Sequence, residues 1–243
     1  MASSSLTFAI GDVHGCFAKL DNLMHRCAEY AGSRPHRFVL LGDYIDRGTD
    51  SRQVIKKLRR LTGQRPDEVI CLKGNHEDML LSAVDEPCDS LWINNGGDTT
   101  LASYGVERPA ELPADDIAWI RGLPLCHDDG LRFFVHAGID PAVPLDRQDG
   151  NTMLWTRKRY SDEFNPGRLI VHGHTPLRSQ RPDLGPHRIN LDTGAVYGGP
   201  LSAAAFTDQD AAPEALLVGS EVFQVGCGPN VKHLQRFVIT DEY

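Results

Sequence analysis

Short apolar runs recur along this chain, and each is followed at once by polar residues suited to acid–base or metal chemistry. Leu6–Ile10 leads into Gly11-Asp12-Val13-His14, Phe38–Leu41 into Gly42-Asp43, and Val69–Leu72 into Lys73-Gly74-Asn75-His76. Phe133–Val135 leads into His136, and Leu169–Val171 into His172-Gly173-His174. Apolar runs that do not alternate with polar residues predict strands buried on both faces. Between the first three runs, Phe17, Leu20, Leu23, Met24, Cys27 and Ala31 fall at helical spacing, as do Val54, Ile55, Leu58 and Leu61. Asp50 with Gln53 three residues on reads as a capping box at the start of the second helix. Strand–helix alternation implies a βαβαβ unit with parallel strands and right-handed crossovers. Ligands bind such sheets outside the carboxyl ends of the strands, where the polar residues fall, so the pattern itself predicts one convergent site.

The pattern changes further along. The stretch Asp78–Leu123 reads as mostly helical, interrupted by the turn signal Asn94-Asn95-Gly96-Gly97 and by a loop at Pro109 and Pro113. Arg188–Leu191, Leu201–Phe206, Leu216–Val218 and His233–Ile239 are short strands with Gly/Pro punctuation, expected to form a largely antiparallel sheet packed on the first. The fold class is therefore α/β, with two packed mixed β-sheets flanked by helices. No linker breaks the pattern, so residues 1–243 read as a single domain.

Composition narrows the function classes. Hydrophobic residues make up 41% of the chain, enough for a sizeable core. A formal net charge of −8 argues against nucleic acid as a partner, because such proteins carry a basic face. It leaves room for a small anionic substrate, since bound divalent ions reverse a local potential. No apolar run approaches the roughly 18–20 residues that span a bilayer, and no membrane partner is expected. Met1–Ser5 has neither a basic nor an apolar region, which makes the cytoplasm the expected compartment. Six scattered cysteines without a C-x-x-C pair fit reduced thiols better than a thiolate zinc site.

Singly, each polar residue has an ordinary explanation. Asp12 could cap a helix, Asp43 end a strand and Asn75 sit in a turn. Together they form an ordered set: Gly11-Asp12-Val13-His14-Gly15, Gly42-Asp43-Tyr44-Ile45-Asp46-Arg47-Gly48, Gly74-Asn75-His76-Glu77, His136-Ala137-Gly138 and Gly173-His174-Thr175. This series resembles the phosphoprotein phosphatases that include calcineurin, in their compact bacterial and phage branch of the calcineurin-like metallophosphoesterases. The motifs run from Gly11 to Thr175, about two thirds of the chain.

The resemblance implies a metallophosphatase β-sandwich and a dinuclear site. Asp12 and His14 would hold one metal, Asn75, His136 and His174 the other, and Asp43 would bridge them. Oxygen and imidazole ligands suit divalent first-row metals. Manganese is the expected ion, with iron or zinc as alternatives. A hydroxide bridging the pair would attack phosphorus directly, with no phosphoenzyme. His76 would be the general acid, oriented by Asp46, and Arg47 would clamp phosphate oxygens together with Asn75. A second phosphate arginine is expected at Arg157, in Leu154-Trp155-Thr156-Arg157, with Arg159 as the alternative.

Other residues read as structural. His172 is expected to pack at a strand end or to support the site, and Glu77 to support or cap. His25, His36, His127, His187 and His233 lack a ligand-like context. Trp92, Asn95, Gly96, Gly97 and Thr99–Gly105 resemble a stretch shared by bacterial protein phosphatases and diadenosine tetraphosphatases. It is expected to shape the substrate mouth, although a turn followed by a core helix is equally consistent. The implied activity is a metal-dependent phosphomonoesterase on phosphorylated proteins, peptides or small phosphoesters, first of all a serine/threonine protein phosphatase. A diadenosine tetraphosphate hydrolase is the alternative. A binding module that has lost catalysis would show a missing ligand or acid, and none is missing.

Overall fold

Each apolar run ahead of a polar motif becomes a buried strand in the computed structural model, which describes residues 4–86, 90–225 and, as backbone, 234–237. The first three strands, β1 (Leu6–Ile10), β2 (His36–Leu40) and β3 (Val69–Cys71), lie side by side and parallel. They are linked by α1 (Phe17–Ala31) and α2 (Ser51–Gln64), whose apolar faces bury Leu20, Leu23, Val54 and Ile55 against the sheet. Helix α2 begins after Asp50, as expected, but not through a capping box. The Asp50 carboxylate accepts from the Gln53 side-chain amide at 2.9 Å and caps no backbone N–H. The helical middle comprises α3 (Asn75–Asp85), a short α4 (Ser90–Trp92), α5 (Asp98–Tyr104) and α6 (Ala114–Arg121). The Asn94–Gly97 turn signal falls in a π turn over Ile93–Gly97 that joins α4 to α5, kinked at Gly96 with φ 103°.

A second sheet follows. Strands β4 (Cys126–Asp128), β5 (Arg132–Val135), β6 (Leu169–His172), β7 (Asp183–Leu184) and β8 (Arg188–Asn190) are ordered β4-β5-β6-β8-β7. Strands β5, β6 and β8 are mutually parallel, and α7 (Gly150–Trp155) lies between β5 and β6 in the chain. The expected antiparallel sheet made from the later strands is a correction. Strands β9 (Ser202–Thr207), β10 (Pro213–Val218), β11 (Glu221–Val225) and β12 (Leu234–Phe237) extend the first sheet, in the order β12-β11-β10-β9-β1-β2-β3. Strand β9 pairs antiparallel with β1, Phe8 opposite Ala205, whereas β8 joins β6 in parallel. The alanines at 203–205 are fully buried and let β9 lie between β1 and β10 with both faces covered. The outer part of the expected 233–239 strand lies outside the described residues.

The two sheets face each other across a shared apolar layer. Ala9, Val39, Ala204 and Phe206 contribute from one side, and Phe134, Val171 and Ile189 from the other. Phe134 and Phe206 meet edge to face with ring centroids 6.2 Å apart, and truncating either to Ala would cost about 3–5 kcal/mol. The carboxyl ends of β1, β2, β3, β5 and β6 therefore converge on one edge of the sandwich, where the polar motifs sit. No helix among the described residues is long and apolar enough to cross a membrane.

Candidate active site

Backbone conformation singles out this edge before side chains are considered. Six described non-glycine residues have left-handed φ, and five of them are His14, Asp43, Asp46, Arg47 and His174. Such conformations cost of order 1–3 kcal/mol each and persist where the surroundings over-determine them, commonly at functional sites. The over-determination is visible at Asp43. The buried Glu77 carboxylate accepts the backbone N–H groups of Asp43 at 2.9 Å, Tyr44 at 2.8 Å and Gly74 at 2.9 Å, fixing the loop after β2 to the start of α3. A Cβ on Gly74 would collide with both the backbone and the carboxylate of Asp43. The support or capping expected of Glu77 thus takes the form of bonds to three amides.

The expected metal ligands are all buried and face one another. His14 Nε2 lies 3.4 Å from Asp43 Oδ2, and His136 Nε2 lies 3.4 Å from Asp43 Oδ1. Asn75 Oδ1 lies 2.9 Å from His136 Nε2 and 2.8 Å from His174 Nδ1. Asp12 closes the far side, its carboxylate accepting the His174 backbone N–H at 3.0 Å. His14, Asp43 and His76 form one group able to hold a cation, and Asp43, His136 and His174 another, with Asp43 common to both.

The hydrogen bonding fits cations at these points. His14 Nδ1 donates to the Ile45 carbonyl and His136 Nδ1 to the Leu41 carbonyl, each at 2.8 Å. Those bonds fix the tautomers and turn both Nε2 lone pairs toward Asp43. Burial holds His14 and His174 neutral, with pKa values lowered to about 3, and lowers His136 as well. The Nε2 lone pair of His136 therefore meets an amide oxygen and a carboxylate oxygen with no proton between them. His174 Nε2 is buried without any hydrogen-bond partner. Buried acids crowd the same space. Burial, then Asp192 and Asp43, push Asp12 well above the carboxylate range, and burial with Asp43 raises Glu77 to about 7. A divalent cation would relieve both the facing lone pairs and the carboxylate repulsion.

His76 and Asp46 sit beside this cluster. His76 Nδ1 lies 2.6 Å from Asp46 Oδ2, and its Nε2 lies 4.0 Å from Asp43 Oδ2. Trp92 Nε1 donates to Asp46 at 2.9 Å and Thr100 Oγ1 at 2.7 Å. Of the two readings of this stretch, Trp92 follows the core one and not the substrate mouth: the indole is buried and its N–H holds Asp46. Arg47 reaches the cluster directly, Nη1 donating to His14 Nε2 at 2.7 Å. Arg157 is exposed, and its charge bears on His136, His174 and Asp192. Arg159 instead approaches Asp183, at 3.8 Å.

Two neighbours of the site escaped the sequence reading. Asp192 is buried behind Asp12 and raised to about 6, first by burial and then by Asp43, which outweigh the Gly194 N–H it accepts. Tyr197 is exposed and carries the Arg47 guanidinium over its ring at 5.7 Å. Its loop is tied down by Lys19, whose Nζ donates to the carbonyls of Ala195 at 2.6 Å and Gly199 at 2.7 Å. The run Leu191-Asp192-Thr193-Gly194 follows the short strand Arg188–Asn190, whose polar ends give none of the apolar signal that marks the other motifs.

This arrangement matches a known family. The sequence profile of the calcineurin-like phosphoesterases aligns with residues 7–206. The chain belongs to that family. It is 32% identical over 208 residues to serine/threonine-protein phosphatase 1 of Salmonella typhimurium, covering 81% of this chain and 90% of the relative. It is 28% identical over 228 residues to the asymmetrical bis(5'-nucleosyl)-tetraphosphatase PrpE of Oceanobacillus iheyensis, covering 83% and 88%. Among solved structures, a diadenosine tetraphosphatase candidate superposes with a TM-score of 0.65 at 26% identity, covering 84% of this chain and 90% of that one. A serine/threonine phosphatase from Saccharomyces cerevisiae shares the fold, with a TM-score of 0.63 at 16% identity over 99% and 82%. The chain is thus a phosphoesterase, and its family uses divalent metals.

Proposed function

We propose that this chain is a dinuclear metal-dependent phosphoester hydrolase that acts first of all on phosphoserine and phosphothreonine in proteins. The observation that carries this reading is the buried set of candidate ligand atoms on His14, Asp43, Asn75, His136 and His174, with a hydrogen-bonded His76–Asp46 pair alongside. Asp12 completes the ligand set, and Asp43 serves both positions. When bound, two divalent ions, manganese first and iron or zinc as alternatives, supply Lewis-acidic charge and a water of lowered pKa.

The remaining work falls to protein groups. Arg47, poised at His14 Nε2, turns to the phosphate oxygens when substrate arrives. Arg157, which shares a hollow with Ala137 and Thr175 beside the ligand histidines, supplies a second cation for the phosphate, and Asn75 contributes its amide. His76 delivers its Nε2 proton to the leaving oxygen, while Asp46 keeps Nδ1–H in place and stabilises the imidazolium. Trp92 and Thr100 hold Asp46, and Glu77 holds the loop of Asp43. Free thiols at Cys16, Cys27, Cys71 and Cys126 suit a reducing compartment.

A second reading, hydrolysis of a dinucleoside polyphosphate, is favoured by one specific observation: additional cations next to the site, from residues 157–159 and Arg188. Turnover of manganese-loaded protein on a phosphopeptide panel, diadenosine tetraphosphate and p-nitrophenyl phosphate tests both. Failure to hydrolyse any of the three contradicts the phosphoester hydrolase assignment. A kcat/KM on diadenosine tetraphosphate far above that on every phosphopeptide overturns the first reading in favour of the second.

A further inference from the structure

A small hollow of about 30 Å³, partly open to solvent, adjoins the candidate metal centre. Ala137 and Thr175, each the chain neighbour of an expected ligand histidine, form part of its wall. Arg157, Lys158, Arg159 and Arg188 also line it, and no carboxylate does. This is unusual for a chain of net charge −8, because four cations around one hollow repel one another without an anion among them. The compensation on hand is partial. Arg188 Nη2 lies 3.3 Å from Asp183, and Arg159 Nη2 shares that carboxylate at 3.8 Å. One carboxylate serves two guanidiniums. Arg188 Nε is buried and has no hydrogen-bond partner at all. The guanidinium is paired through Nη2, but a buried donor without a hydrogen bond still costs free energy, which an anion within reach of Nε would offset.

We propose that this hollow is a second anion subsite, which takes a phosphoryl group of the substrate adjacent to the one being hydrolysed. The inference rests on the phosphoester hydrolase reading for what occupies the neighbouring centre. Arg157 lines the hollow together with Ala137 and Thr175, the chain neighbours of His136 and His174. Among the lining cations Arg188 is largely buried, whereas Lys158 and Arg159 are exposed and are taken as the rim. Two kinds of substrate bring such a pair of phosphoryl groups: a polyphosphate chain, and a peptide phosphorylated at neighbouring residues.

Calorimetry on the metal-loaded protein, with tripolyphosphate and orthophosphate as probes, tests the subsite directly. Tripolyphosphate is expected to bind at least about tenfold more tightly than orthophosphate, and Arg188→Gln to remove most of that difference. Because Arg188 is largely buried, the rim variant Lys158→Gln/Arg159→Gln is measured alongside it, with a thermal melt of each. If Arg188→Gln does not fold, the rim variant decides. Loss of the tripolyphosphate preference supports the subsite. Equal weakening of both anions, or no weakening of either, overturns it. In turnover, the kcat/KM of diadenosine tetraphosphate relative to p-nitrophenyl phosphate should fall about tenfold if polyphosphate is the source. The same ratio for a doubly over a singly phosphorylated peptide should fall if the source is a peptide. Absence of turnover on every substrate refutes the hydrolase reading, while the calorimetry still decides the subsite.

Discussion

His76 Nδ1 lies 2.6 Å from Asp46 Oδ2, and the same carboxylate is gripped from beneath by Trp92 and Thr100. The bond leaves His76 Nε2 facing the cluster around Asp43 with a proton to give. Burial works against the imidazolium, but Asp43 and Asp46 outweigh it and hold the His76 pKa above the ordinary value of 6.5.

The acid acts in its protonated form. Its share of the rate is therefore complete below this raised pKa and declines as pH rises through it. For an alkyl phosphate, the alkaline limb of the kcat/KM profile should fall above pH 6.5. Asp46→Asn removes one of the supporting carboxylates and should move that limb to lower pH. His76→Asn should lower kcat by about 10²–10⁴-fold on the alkyl ester and much less on p-nitrophenyl phosphate, whose leaving group needs little protonation. Equal losses on the two esters, or a limb unmoved in Asp46→Asn, would count against the acid assignment.

Asp43 faces His14 on one side and His136 on the other, at 3.4 Å from each. Asp43→Asn should therefore weaken both metal positions at once. Gly74→Ala should do the same indirectly, because the added Cβ drives into Asp43. Elemental analysis after dialysis checks this. Two retained metals with normal turnover in Asp43→Asn would refute the bridging role.

A separate prediction concerns stability. Arg132 is buried, and its guanidinium bonds Asp129 as well as the carbonyls of Thr207 and Asp210, joining β5 to the loop after β9. Removing one partner of such a pair leaves a buried charge uncompensated, so Asp129→Ala should cost roughly 3 kcal/mol in urea unfolding. In the folded protein the Asp129 carboxyl is depressed, since the Arg132 bonds outweigh its burial. The contribution is thus fully present above the unfolded value near 3.8 and is lost as pH falls through the lower folded value. A wild-type-like urea midpoint in Asp129→Ala at neutral pH would contradict the argument.

Much of the fold's first half was legible because each strand is an unalternating apolar run and the helices between them keep helical spacing. The convergence of Asp12, Asp43, Asn75, His136 and His174 followed from their places at strand ends. The second half was less legible for a physical reason. Strands such as β8 and β9 are three to six residues long, and a short apolar run carries no mark of which sheet it joins. Ala203, Ala204 and Ala205 suit a crowded central strand, but their smallness does not name the neighbour. The support beneath Asp46 was hidden for a related reason. Trp92 read as part of a stretch that shapes the substrate mouth or of a turn before a core helix, and only the packing of α4 and α5 against the loop of Asp46 brings its N–H to the carboxylate. Tyr197 depends on an anchor from Lys19, 178 positions away in sequence, a relationship no local pattern carries.

The choice between Arg157 and Arg159 separates the phosphate being hydrolysed from anything next to it. Arg157 acts electrostatically on His136 and His174, whereas Arg159 is drawn toward Asp183 on the rim. For a singly phosphorylated peptide, Arg157→Ala should raise KM by about tenfold, the usual scale for one lost charge-assisted contact. Arg159→Ala should change KM for that peptide less than twofold, because a surface ion pair on the rim contributes little. On a substrate with two adjacent phosphoryl groups, Arg159→Ala should become visible as a several-fold rise in KM, while Arg157→Ala raises it on both. Initial-rate kinetics with matched singly and doubly phosphorylated substrates decide the matter. If Arg159→Ala is the variant that raises KM for the singly phosphorylated peptide and Arg157→Ala is silent, the two arginines have exchanged roles, and the phosphate must approach from the Asp183 side of the hollow.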